Sequence, residues 1–170
     1  MKISANSDLR KSFLNEMAGT ASTLERLSLF QELLNRDALL RMRATGGSMV
    51  PLLHGSEILT IKKVSASSLG KGDLVFFKNR YGHPVIHRIV KKQKRNDVLS
   101  FQTRGDALIV LDEPVPDGEI LGKVCRLEKG SKQIDFESIY WRCANYIRAT
   151  INLFESRLHL TATAFKKLLA

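Results

Sequence analysis

From Ala38 to about Phe136 the sequence is cut into short β-rich runs: Leu39 to Ala44, Glu57 to Val64, Asp73 to Lys78, Val85 to Lys91, Val98 to Thr103, Glu119 to Leu127 and Gln133 to Phe136. The cuts fall at Gly70-Lys71-Gly72, Tyr81-Gly82-His83-Pro84, Lys94-Arg95-Asn96-Asp97 and Pro114 to Gly118, which carry the residues that turns require. Strands of this length joined by turns predict a mainly β region, a coiled sheet or partial barrel.

The flanks have a different period. Leu9, Phe13 and Met17 recur at helical spacing within Asp8 to Met17, and Leu24, Leu27, Phe30 and Leu34 do so within Thr23 to Asn35. Ser22 with Glu25 three residues later forms a capping-box pattern for the second helix, and Ala18-Gly19-Thr20 separates the two. Beyond Ser138, Ile139, Cys143, Ile147, Ile151, Phe154, Leu158, Ala162, Phe165 and Leu169 fall on one stripe, opposite Arg142, Asn145, Arg148, Asn152, Glu155, Lys166 and Lys167. A continuous helix here would be about 45 Å long; a bend near Leu158-His159 is the alternative. The expected organisation is therefore residues 1–37 helical, 38–136 a β domain, and 137–170 a basic amphipathic helix, α+β taken together. The last segment has two readings: a helix packed on its own domain, or one lying on anionic lipid or docking a partner.

Charge narrows the partners. With 170 residues and a formal charge of +10, the chain calls for a polyanionic neighbour, a membrane surface or nucleic acid. The basic pairs Lys62-Lys63, Lys91-Lys92 and Lys94-Arg95 are not interleaved with aromatic residues that would stack bases, which disfavours nucleic acid. Cys125 and Cys143 have neither zinc-site nor disulfide-framework spacing and read as buried thiols, so neither a metal nor another cofactor is expected. Met1 to Arg10 lacks the apolar block of a secretory signal, and the apolar run Ala107 to Leu111 is too short to span a bilayer. The expected location is cytoplasmic or peripheral at a membrane.

Chemistry gathers around Thr45-Gly46-Gly47-Ser48-Met49-Val50-Pro51, where a serine sits between two glycines and a proline just before a strand. Glycine admits backbone conformations and close approaches that side chains forbid. A serine hydroxyl is a weak nucleophile until a base takes its proton. Among the four histidines, His87 stands out, because it lies inside the apolar strand Pro84-Val85-Ile86-His87-Arg88-Ile89-Val90, where a polar ring needs a partner. An imidazole base works best with a carboxylate on its other nitrogen. Asp106, in Thr103-Arg104-Gly105-Asp106, and Asp112, six residues later, are the candidates, and either could reach it.

Taken in order, Gly47-Ser48-Met49-Val50-Pro51, Gly72-Asp73-Leu74-Val75-Phe76-Phe77, Val85-Ile86-His87-Arg88-Ile89-Val90, Thr103-Arg104-Gly105-Asp106 with Asp112, and Ile120-Leu121-Gly122-Lys123-Val124 resemble the type I signal peptidases. The chain looks most like their archaeal and endoplasmic-reticulum branch, which carries histidine where bacterial members carry a lysine base. The resemblance covers roughly Met42 to Arg126. It implies Ser48 as nucleophile, His87 as general base, Asp112 as the histidine's orienting group and Asp106 as support. It further implies oxyanion donors from the backbone of Ser48 and Gly47, and Met49 and Pro51 beside the substrate. The implied activity is a serine endopeptidase that removes a leader or signal segment after small residues. Gly55-Ser56-Glu57 departs from the family's glycine-aspartate entry to the next strand, and Ala107-Leu108-Ile109-Val110 is apolar where small polar residues are usual. Self-cleavage at Ala18-Gly19, as in the self-cleaving repressors of the same fold, and a non-catalytic binding role for lipid, RNA or a partner protein are the alternatives.

Overall fold

The computed structural model describes residues 23–95 and 98–168. The helix expected over Asp8 to Met17 and the Ala18-Gly19 pair lie outside the described residues. The described elements run α1 (Thr23–Asn35), β1 (Leu40–Arg43), β2 (Ile58–Lys62), β3 (Leu74–Lys78), β4 (Pro84–Arg95), β5 (Val98–Arg104), β6 (Val115–Pro116), β7 (Ile120–Lys129), β8 (Lys132–Asp135) and α2 (Ile139–Leu168), with two short 3-10 turns at Ala66–Ser68 and Asp117–Glu119.

The strands form one curled antiparallel sheet in the order β1-β2-β7-β3-β4-β5-β6, with β8 paired to β7. Each β-rich run of the sequence overlaps one of these strands, and β4 runs on to Arg95, into the Lys94-Arg95-Asn96-Asp97 stretch expected as a turn. The addition is β6, inside the Pro114 to Gly118 stretch expected as a turn. Phe101 of β5 pairs with Val115, and Val115 is buried. Pro116 is tolerated because the strand lies at a sheet edge, where no further ladder bond is required of it.

Side chains of successive strand residues point to opposite faces, and the two faces carry separate clusters. Leu74 and Phe76 pack with Leu59, Ile61, Leu121, Leu127 and the α1 residues Leu27 and Leu34. Val75 and Phe77 pack with Leu69, Ile89, Phe101, Val115 and Ile120. The register of β3 on β4 pairs Val75 with His87 and Leu74 with Arg88. His87 thus projects to the side of the Val75 cluster, and Arg88 to the other side of the sheet.

α2 is continuous through Leu158-His159, without the alternative bend. It packs on its own domain, but through the polar face. Asn145, Ala149, Asn152 and Ser156 are buried, whereas Ile147 (60%), Ile151 (43%), Phe154 (67%) and Leu158 (61%) are exposed. The helix approaches closely at Gly72, whose φ is +98° and whose Cβ, if present, would lie 2.8 Å from the Tyr146 nitrogen. Any side chain there would push the helix away. The two thiols differ from expectation. Cys143 is exposed because it sits on the outer face of α2, and Cys125 is half-buried, its thiol pushed up by burial and its Sγ 3.3 Å from the Thr60 carbonyl.

Candidate active site

Ser48 lies in the loop between β1 and β2, a loop that closes on itself. Gly46 (φ +83°) and Gly55 (φ +91°) take left-handed conformations, and a Cβ on Gly55 would lie 3.3 Å from the Gly46 carbonyl. The Val50-Pro51 peptide is cis. A buried carboxylate ties the loop together: the N–H groups of His54 and Ser56 donate to Glu57 at 2.9 and 3.1 Å, while the Ala44 N–H donates to the Glu57 carbonyl at 2.7 Å. Burial pushes the Glu57 carboxyl up, but the backbone N–H groups of Glu57, His54 and Ser56 and the Lys129 ammonium outweigh it and bring it down to about 2.

His87 reaches Ser48 from β4. Its Nε2 is 3.0 Å from Ser48 Oγ, and its Nδ1 is 2.6 Å from Asp112 Oδ2. A carboxylate oxygen can only accept, so Nδ1 carries the proton and the Nε2 lone pair faces the serine hydroxyl. Asp112 is itself held. Thr103 Oγ1 donates to its Oδ2 at 2.7 Å, its own N–H donates to the Thr103 carbonyl at 2.9 Å, and Gln102 Nε2 donates to its carbonyl. The Phe77 ring stands edge-on to the imidazole at 6.2 Å between centroids. A cleft of about 900 Å3 opens beside His87 and Asp112, walled by Phe77, Val85, Tyr81 and Val115.

The other aspartate is occupied elsewhere. Asp106 forms a buried two-point pair with Arg88, at 2.8 Å from Nε and 2.6 Å from Nη2, on the opposite side of β4 from His87. Its loop nevertheless backs the serine, since the Ala107 N–H donates to the Ser48 carbonyl at 2.9 Å. Gly105 makes that approach possible. A Cβ there would lie 2.6 Å from the Ser48 carbonyl and 3.0 Å from His87 Nε2.

Ser48, His87 and Asp112 are therefore brought into one hydrogen-bonded line, and Asp106 is not part of it. Met49, expected beside the substrate, is a correction: its side chain is 3% exposed in the core, and its Sδ accepts the Asp106 N–H at 3.4 Å. The residue after the serine anchors the loop by packing in the cluster that contains Leu59. Pro51 remains exposed.

Comparison with known proteins gives a family-level likeness. A 76-residue stretch is 34% identical to Signal peptidase I W of Bacillus subtilis (strain 168). The chain is similar to a signal peptidase I. The matched stretch is 44% of this chain and spans about 40% of that relative's length. No protein-family model matches. No described helix is long and apolar enough to cross a membrane.

Sequence reasoning gave no role in the site to Gln102, Thr103, Glu57 or the polar face of α2. Thr103 and Gln102 read as ordinary strand residues, and nothing in their spacing marks a link to Asp112. Asn145, Arg148 and Asn152 did carry a signal, since they recur at helical spacing. They read as a solvated face because polar residues usually are.

Proposed function

We propose that the chain is a serine endopeptidase of the Ser-His signal-peptidase type, which removes a leader or signal segment from another protein. The observation that carries the proposal is the line Ser48 Oγ, His87 Nε2, His87 Nδ1, Asp112 Oδ2, with separations of 3.0 and 2.6 Å at its two hydrogen bonds. Histidine rather than lysine beside the serine is what supports the archaeal and endoplasmic-reticulum branch.

Ser48 Oγ attacks the scissile carbonyl carbon as its proton passes to His87 Nε2, and Asp112 stabilises the resulting imidazolium. The backbone N–H groups of Ser48 and Gly47 serve the oxyanion. Collapse expels the new amine, which takes the proton from His87 Nε2. Water, activated by the same nitrogen, then releases the acyl group from Ser48.

The outward stripe of Ile147, Ile151, Phe154 and Leu158 provides the place of action. It lies on a chain of formal charge +10, a combination complementary to an anionic lipid surface. Flotation with anionic and neutral vesicles tests this part: binding to both kinds equally, or to neither, rejects the anionic surface.

The test of the activity compares protein N-termini in cells carrying the wild-type chain and cells carrying Ser48→Ala. Termini that depend on Ser48 support the peptidase and name its substrates. A change confined to Gly19 of this chain replaces the proposal with self-processing, and no change rejects it.

A further inference from the structure

A set of polar contacts ties the buried face of α2 to the residues that flank the Ser48-His87 pair. Asn145 Oδ1 accepts from Arg88 Nη1 at 2.7 Å, and Arg88 directly follows His87. Asn152 Nδ2 donates to Asp106 Oδ1 at 2.8 Å, and Arg148 Nη2 donates to the Asp106 carbonyl at 2.8 Å. Ser156 Oγ donates to the Ile109 carbonyl at 2.6 Å, and the Asn152 carbonyl accepts from Arg104 Nη1. Asp106 in turn holds Met49, the residue after Ser48, and the adjoining Ala107 holds the Ser48 carbonyl.

We infer that α2 is a working part of the catalytic apparatus, with Asn152, Asn145 and Arg148 acting as positioning residues that set the Ser48-His87-Asp112 geometry from behind. The inference rests on the serine-peptidase reading for its rate effects only; the geometry it concerns is independent of substrate.

The physical argument is one of burial. Arg88 and Asp106 are 2% and 4% exposed, in surroundings where a charge with an unfilled hydrogen-bonding position is costly. The pair satisfies its inner edge by itself, the Gly72 carbonyl accepts from Arg88 Nη1 at 3.2 Å, and α2 supplies a second, shorter acceptor for Nη1 and donors for Asp106. Removing a donor forces the aspartate to rotate or to admit water. The Gly105-to-Asp112 loop must then shift, carrying at one end the backing of Ser48 and at the other the carboxylate on His87. A displacement of about 1 Å at a reacting pair costs on the order of 100-fold in rate.

The experiment uses the full chain and two readouts. One is the rate at which a fluorophosphonate phosphonylates Ser48, normalised to folded protein, with Ser48→Ala as the blank. The other is the downfield proton NMR signal of the His87 Nδ1–H, identified by its loss in His87→Ala. Asn152→Ala should slow phosphonylation about 100-fold and broaden or shift the proton signal. Asn145→Asp, which keeps an acceptor for Arg88, should stay near the wild-type rate, whereas Asn145→Leu should fall with Asn152→Ala. Arg148→Ala alters a half-exposed side chain, and it carries the test if Asn152→Ala does not fold. Folded variants with the wild-type rate and an unchanged proton signal overturn the inference. If the wild-type chain is not phosphonylated, the peptidase reading fails by itself, and the proton signal alone then decides the inference: loss in Asn152→Ala or Arg148→Ala upholds it, and persistence overturns it.

Discussion

The two described helices solve the same problem in opposite ways. α1 turns Leu27 and Leu34 into the core, with Phe30 edge-on to Phe76 at 5.9 Å, and leaves Glu25, Arg26 and Glu32 outside. α2 turns Asn145, Asn152 and Ser156 inward and leaves Ile147, Phe154 and Leu158 outside. A hydrophobic period identifies a helix, but it does not say which face its own domain will take. Where the sheet offers carbon, the apolar face wins. Where it offers Arg88, Arg104 and Asp106, the polar face is the better complement, because buried charges need partners. The cross-strand pair Arg88 and Arg104 brings two cations to one face, and the Asp106 carboxylate and the α2 acceptors relieve them.

The contrast can be broken from either side. The largest effect should come from α1: Leu34→Ala, at a fully buried position, should lower the free energy of urea unfolding by about 2–5 kcal/mol through the cavity it leaves. Next is the seat of α2. Ala149 is also fully buried, and Ala149→Leu should cost about 1–3 kcal/mol by overpacking. It should also slow Ser48 phosphonylation, whereas Leu34→Ala should spare the rate of the molecules that remain folded. Equal kinetic effects from both would remove the distinction between the helices.

Titration sharpens the comparison, because Glu57 uses in one loop the principle α2 uses along a helix. Its folded-state value of about 2 lies below that of an unfolded glutamate, about 4.3. Its contribution is therefore present above the unfolded value and is lost as pH falls from about 5 towards 2. Glu57→Gln should lower stability at neutral pH by about 1–2 kcal/mol and flatten that part of the acid limb. An acid limb identical to the wild type would remove Glu57 from it.

The smallest effect should fall on the outer face of α2. Phe154→Ser should change unfolding free energy by no more than about 0.5 kcal/mol, since its ring is 67% exposed. The same change should weaken flotation with anionic vesicles. A large loss of stability would mean that the stripe is covered by another copy of the chain, and sedimentation would then detect the assembly.

Much of this protein follows from short-range pattern. Turn residues delimit the strands, period two separates His87 from Arg88, and the Gly46-Gly47-Ser48 stretch marks where a hydroxyl can be presented. Such features act over a few residues, so one sequence suffices to read them. Tertiary structure decided the rest. It put Asp112 rather than Asp106 on His87, because Thr103 and Gln102 hold the first in place while Arg88 claims the second. It sent Met49 into the core instead of towards a substrate. It also reversed α2, since the charges that made its polar face the buried one lie on β4, β5 and the loop after β5, at least 40 residues away in the chain. Hydrogen-bond complementarity between distant segments has no period, so only the folded arrangement expresses it.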